Sequence, residues 1–300
     1  MLKIANHPIY KHELPEGHRF PMLKYELLPK YLLDNKICTI ENFFEPQKVS
    51  EASILKVHTE DYYRRLLSLD IDEKEIRKMG FPLRTELVER GHYIIGGTIK
   101  GSEYAIKNGV ALNIAGGTHH AYADHGEAFC LLNDQAVAAK YLLDNHEIHK
   151  ILIVDLDVHQ GNGTAKIFEN ENRVYTFSMH GAKNYPFKKE KSDLDIGLDD
   201  GTTDDAYLEI LYSTLPKLIK KVQPDFIFYL SGVDILATDK LGRLGGTING
   251  CKERDRFVLQ TCKDHKIPVQ ISMGGGYSPD IDLIIEAHAN TYRVAQKLFF

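Results

Sequence analysis

Hydrophobic and polar positions along this 300-residue chain switch repeatedly between two periods. Short apolar runs at Val110 to Ile114, Lys150 to Val154, Arg173 to Met179, Asp225 to Leu230 and Val269 to Ser272 predict buried strands. Helical periodicity fills Arg84 to Lys107, Phe129 to Asn145, Thr203 to Val222, Asn249 to Lys266 and Ile281 to Leu298. Gly96, Gly97 and Gly101 interrupt the first helix but permit close packing. Strand–helix alternation predicts right-handed crossovers and a parallel sheet covered on both faces, an α/β fold. There is no internal repeat, low-complexity tract or long linker, so residues 1–300 read as a single domain. Gly181 to Gly201 is rich in Lys and Asp and follows a strand, so it reads as a long irregular loop on the active edge.

Polar residues gather where four of these strands end. Ala115-Gly116-Gly117-Thr118-His119-His120 follows the first strand. Asp155-Leu156-Asp157-Val158-His159-Gln160-Gly161 follows the second. Ser231-Gly232-Val233-Asp234 and Met273-Gly274-Gly275-Gly276-Tyr277 follow two others. If these strands are parallel, the four loops converge on one rim, where α/β folds place their sites. Side-chain alternation would put Asp155, Asp157 and His159 on one face. Burying neighbouring carboxylates is costly unless a cation neutralises them, so the pattern points to a metal.

The rest of the composition narrows the chemistry. Cys38, Cys130, Cys251 and Cys262 form no Cys-x-x-Cys pair and read as free thiols in a reducing compartment, which leaves the metal to His and carboxylate. Asp157, His159 and Asp234 supply three ligands, and a catalytic zinc keeps its fourth position open. His119 and His120 are a base and an acid within reach of a zinc-bound water. Asp155 remains to hold a histidine in its tautomer. Tyr277 offers a phenol to a carbonyl oxygen becoming an oxyanion. Together these groups describe metal-assisted hydrolysis of an amide or ester. No Ser or Cys nucleophile constellation is present, and Gly161-Asn162-Gly163 lacks the rest of a dinucleotide fingerprint. A net charge of −5 and a pI near 6.3 argue against nucleic acid and leave room for an acidic mouth that attracts a cationic substrate. Met1 to Phe20 does not read as a signal peptide, and no 18-residue apolar run exists, so a cytoplasmic protein without a membrane partner is expected. Nothing in the sequence speaks to the oligomeric state.

The motifs Gly-Gly-Thr-His-His-Ala, Glu-Ala-Phe-Cys-Leu-Leu-Asn-Asp, Asp-Leu-Asp-Val-His-Gln-Gly-Asn-Gly, Ser-Gly-Val-Asp-Ile-Leu and Gly-Gly-Gly-Tyr resemble the zinc-dependent histone deacetylase family. The likeness runs in order from Leu14 to Tyr277, and His-Gln-Gly-Asn-Gly with Gly80 to Arg84 is most similar to the class IV branch and its bacterial relatives. The resemblance implies the arginase/deacetylase fold with an eight-stranded, mostly parallel sheet. It implies Zn2+ on Asp157, His159 and Asp234, His120 as general base and acid, His119 paired with Asp155, and Tyr277 on the scissile carbonyl. Phe129, Tyr185 and Gly275 would line a tunnel for the acyl-lysine stem, and Arg19 an internal cavity below the zinc. Asp155, Asp157, His159, Ser178 and Met179 would hold K+ or Na+. Two positions depart from class I members. Asn162 stands behind His120 where those have Asp, which raises the imidazole's basicity less. Gly80 stands where those place a rim Asp that grips the substrate backbone.

The implied activity is removal of acyl groups from N-acyl-lysine in a protein or peptide, with acetylpolyamines or other small N-acyl amines as the alternative. A dimanganese ureohydrolase on the same fold would need a second Asp where Gly161 stands. A reader that binds acyl-lysine without turnover would have no use for both histidines and Tyr277.

Overall fold

Eight strands pair in parallel throughout. In the computed structural model, which describes residues 1–300, they are β1 (Lys3–Ala5), β2 (Phe43–Phe44), β3 (Val110–Asn113), β4 (Ile151–Asp155), β5 (Val174–Gly181), β6 (Leu194–Leu198), β7 (Phe226–Leu230) and β8 (Val269–Ser272). The sheet order is β2-β1-β3-β8-β7-β4-β5-β6. Every residue of β3, β4, β7 and β8 is buried. Side chains alternate along a strand, so burial at every position means that both faces are covered. The covering helices include Thr85–Asn108, Asp134–Asn145, Asp204–Val222, Ile248–Asp264 and Ile281–Phe299, the five that the periodicity predicts.

The order brings the four motif-bearing strands side by side. Asn113 pairs with Ser272, Ser272 with Leu230, and Leu230 with Asp155, so β3, β8, β7 and β4 end level with one another. After β3 the chain passes over two positions to β4, runs outward through β5 and β6, then returns to fill the gap with β7 and β8. That reversal opens a crevice at the carboxyl edge.

Beneath the crevice lies Arg254, fully buried and paired with Asp255 at 2.9 Å. Its guanidinium donates to the carbonyls of Leu156, Ser231 and Gly232, tying the loop after β4 to the loop after β7. Tyr229 and Thr291 donate to Asp255 at 2.5 and 2.6 Å, so the buried pair is fully hydrogen-bonded.

The structure corrects four details. Part of the expected loop Gly181 to Gly201 is strand β6, whose Leu194, Ile196 and Leu198 alternate but are hidden among Lys and Asp. The short β1 and β2 carry too few residues for a periodic signal. The helix expected from Phe129 begins at Asp134, because Asn133 caps it by accepting from Ala136 N, while Ala128 and Phe129 adopt positive φ in the preceding turn. Finally, β4 ends at Asp155, so strand alternation does not gather Asp157 and His159.

Candidate functional site

Hydrogen bonds from the backbone gather them instead. Past the end of β4, Asp157 N donates to Asp155 Oδ1 (3.1 Å) and His159 N to Asp157 Oδ1 (3.0 Å). Val158 N donates to Asp234 Oδ1 (2.9 Å) and Gly275 N to Asp157 Oδ2 (2.9 Å). Three loops are thereby sewn together, and one ligand atom each from Asp157, His159 and Asp234 lies within 4.8 Å of the others. His159 Nδ1 is 3.1 Å from Asp157 Oδ1 and 3.2 Å from Asp234 Oδ2. Asp234 Oδ2 is buried and accepts no hydrogen bond. Burial and the Asp157 charge push the Asp234 carboxyl up to about 7. Burial opposes a charge on His159, yet the two carboxylates draw it up to about 10. Both shifts describe a buried pocket of negative charge that calls for a cation.

The residues fit zinc. The donor set is one imidazole and two carboxylates, with an unsatisfied carboxylate oxygen at its centre. Bare backbone makes the room: a Cβ on Gly275 would lie 2.0 Å from Asp234 Oδ2, and one on Gly232 would lie 2.3 Å from Asp157 Oδ2. A Cβ on Gly161 would lie 2.3 Å from Asp155 Oδ2, so the second aspartate of a dimetal site has no space.

Both tandem histidines face this group. His119 Nδ1 lies 2.7 Å from Asp155 Oδ2, and His120 Nδ1 lies 2.6 Å from Asn162 Oδ1. Their rings are 4.1 Å apart, and His120 stands 5.9 Å from His159. Burial disfavours charge on His119, but Asp155 outweighs it and raises the pKa. His120 has no carboxylate partner, and burial followed by repulsion from His119 and His159 holds it well below its ordinary value. Tyr277 stands 6.4 Å from His159, ring to ring. Burial and the charges of Asp157 and Asp234 raise its phenol, which therefore stays a donor.

An outer cavity of about 320 Å³ passes Phe129 and Tyr185 and reaches His120, His159 and Tyr277. Tyr185 meets His120 edge-on at 5.1 Å. A second, inner space lies beyond, lined by Tyr25, Arg90, Gly117, Thr118 and Gly275. Gly275 lines this inner space together with Phe129, His120, His159 and Tyr277, which also line the outer cavity. Arg19 is corrected: it is exposed, lines the outer cavity and lays its guanidinium over Phe129 at 5.0 Å, whereas the buried arginine of the inner space is Arg90. The mouth is not acidic, since Arg19, Lys78, Lys183 and Arg243 line it and no Asp or Glu does. The residues implied for a monovalent cation lie together: Asp155 is the register partner of Ser178, and Met179 follows in β5.

Three residues escape the motif reading. Lys24 is fully buried, donates to Gly274 O at 3.1 Å and lies 5.8 Å from the Tyr277 ring. Asp239 accepts from Tyr277 N at 2.6 Å and from Leu241 N and Gly242 N. Glu127 accepts from Asn162 Nδ2 at 3.2 Å and from the Tyr185 hydroxyl. Only the Glu-Ala-Phe motif hinted at the last.

A family model described as Histone deacetylase domain matches residues 18–292. An uncharacterized protein of Picosynechococcus sp. is 41% identical, covering 99% of both chains. Histone deacetylase 2 of Arabidopsis thaliana is 31% identical over 87% of this chain and 70% of its own length. The acetoin utilization protein AcuC of Staphylococcus aureus is 28% identical over 89% of this chain and 74% of its own. Among solved structures, an HDAC homolog complexed with SAHA superposes with a TM-score of 0.85 at 22% identity, covering 99% of this chain and 84% of that one. The HDA15 HD domain does so at 0.82 and 18%, covering 98% and 90%. These last two speak for the fold. With the family model spanning most of the residues and a plant relative 31% identical across 87% of them, the chain belongs to the histone deacetylase family.

Proposed function

We propose that the protein is a zinc-dependent deacylase that hydrolyses the amide of N-acyl-lysine in a peptide or protein. The convergence of Asp157, His159 and Asp234 at the end of a tunnel shared by His120 and Tyr277 carries this reading. Asp157, His159 and Asp234 would hold a zinc ion, which would supply Lewis-acid chemistry and lower the pKa of water toward roughly 7.

The chain's own groups do the rest. Phe129 and Tyr185 flank the acyl-lysine stem. Asn162 Oδ1 holds a proton on His120 Nδ1, which leaves Nε2 free to take one from the attacking water and return it to the leaving amine. His119, held by Asp155, keeps its ring beside His120. Tyr277 donates its hydroxyl to the carbonyl oxygen as that atom gains negative charge. Asp155, Asp157, His159, Ser178 and Met179 would hold a K+ or Na+, several of them through backbone carbonyls.

Acetate release from an acetyl-lysine peptide by zinc-loaded protein tests the reading. Absence of turnover by folded protein carrying one zinc would overturn it.

A further inference from the structure

We propose that the mouth selects acyl-lysines flanked by acidic residues and disfavours polycationic substrates, both basic tails and acetylpolyamines. The inference rests on the deacylase reading above and names its substrate class.

Four cations line the outer cavity, and they come from four separate parts of the chain. Arg19 precedes the helix Lys24–Asp34, Lys78 lies in the last turn of the helix Glu73–Met79, Lys183 follows β5, and Arg243 lies in the loop after β7. Their meeting at one opening is a product of the fold and not of one basic run. No carboxylate lines the same cavity. Lys183 and Arg243 share a single counter-charge, Asp200, at 3.7 and 3.4 Å. Arg19 and Lys78 form no ion pair, and the Arg19 guanidinium is parked over the tunnel wall Phe129. The whole chain carries −5, so the mouth has the opposite sign to the molecule.

The acyl-lysine stem that passes Phe129 and Tyr185 is uncharged and gives these cations no charge to select on. What meets them is the portion of substrate outside the tunnel. For a peptide that portion is the residues flanking the lysine. For an acetylpolyamine it is a row of ammonium groups. Charges at such a rim act within a Debye length, through the encounter rate and the orientation of the bound chain. Gly80 adds to the same bias, because no rim carboxylate offsets Lys78 there.

The test uses zinc-loaded full-length protein and three acetyl-lysine peptides identical except for flanking Glu, Gln or Lys, together with an acetylpolyamine. At low salt the Glu peptide should exceed the Lys peptide in kcat/KM by about tenfold or more, with the Gln peptide between. The acetylpolyamine should be slowest, and the gap should narrow at high salt. Lys78→Glu/Arg243→Glu should reverse the order. Equal rates for the Glu and Lys peptides, or an acetylpolyamine as best substrate, would overturn the proposal. Fluorescence anisotropy of the same peptides separates this from the parent reading. The charge order in binding without turnover would sink the deacylase reading alone, and turnover without the charge order would sink the selectivity alone.

Discussion

Asn162 turns its carbonyl toward His120, with Oδ1 2.6 Å from Nδ1, because its amide nitrogen is engaged elsewhere: Nδ2 donates to Glu127 at 3.2 Å and to the Tyr122 hydroxyl at 3.1 Å. A carboxylate can only accept, so Glu127 sets which way the amide faces. The amide in turn dictates a proton on His120 Nδ1. Burial opposes the Glu127 charge, but the His125 imidazole 3.7 Å away and hydrogen bonds from Tyr185 and Asn162 hold its pKa below the usual range. Negative charge thus stands behind His120 through an intervening amide.

Glu127→Gln should therefore lower kcat more than it raises KM, by roughly tenfold, since a networked positioning group is lost without the base itself. Asn162→Asp alone should also lower kcat, because it sets two carboxylates against each other. Glu127→Gln/Asn162→Asp should recover activity relative to either single change. Steady-state kinetics of the three variants check this, and additive losses would contradict the relay.

Metal content should be one zinc per chain, since three ligands leave one open position. Asp157→Ala or His159→Ala should lose both zinc and turnover. Elemental analysis finding two tightly held transition metals would be incompatible with the ligand set.

Replacement of His120 should separate chemistry from metal binding. His120→Ala should cost on the order of 10²-fold or more in kcat, the usual scale of general acid–base catalysis. Zinc should stay bound. Loss of zinc with the imidazole would move His120 into the ligand set.

Tyr277→Phe keeps the ring that packs near Phe129 and His159 and removes only the hydroxyl. An oxyanion donor is worth roughly 2.7–4 kcal/mol, so kcat should fall by about 10²-fold or more with metal content and unfolding midpoint unchanged. Normal kcat with reduced stability would make the residue a loop plug.

His58 gives a stability test away from the metal. It is buried, and its Nε2 accepts from Asn133 N at 3.0 Å, so the folded protein holds it neutral. Burial lowers its pKa from 6.5 to about 4. Between those values the unfolded chain binds a proton that the folded one does not, so stability rises with pH. The contribution is present above pH 6.5 and is lost, by up to roughly 3 kcal/mol, as pH falls to about 4. His58→Gln keeps an acceptor and should flatten that part of the curve. Urea unfolding of both proteins across the range measures the difference.

The sequence by itself determined the parallel sheet, its five central helices, the three metal-ligand candidates and the two histidines. Each follows from short-range rules: period along a strand or helix, or the position of a residue just after a strand. Asp155, Asp157, His159 and Asn162 lie within eight residues, so their meeting is local. The tertiary structure decided what depends on long loops. Lys24 reaches Gly274 across 250 positions, Glu127 reaches Asn162 across 35, and Arg254 reaches Leu156 across 98. It moved Arg19 from an expected inner cavity to the surface, and it ringed the mouth with cations although the whole chain is acidic. Net charge is a sum over residues, whereas the field at a tunnel entrance depends on which loops the sheet order brings to one edge. That order is set by packing of both faces, and no local periodicity records it.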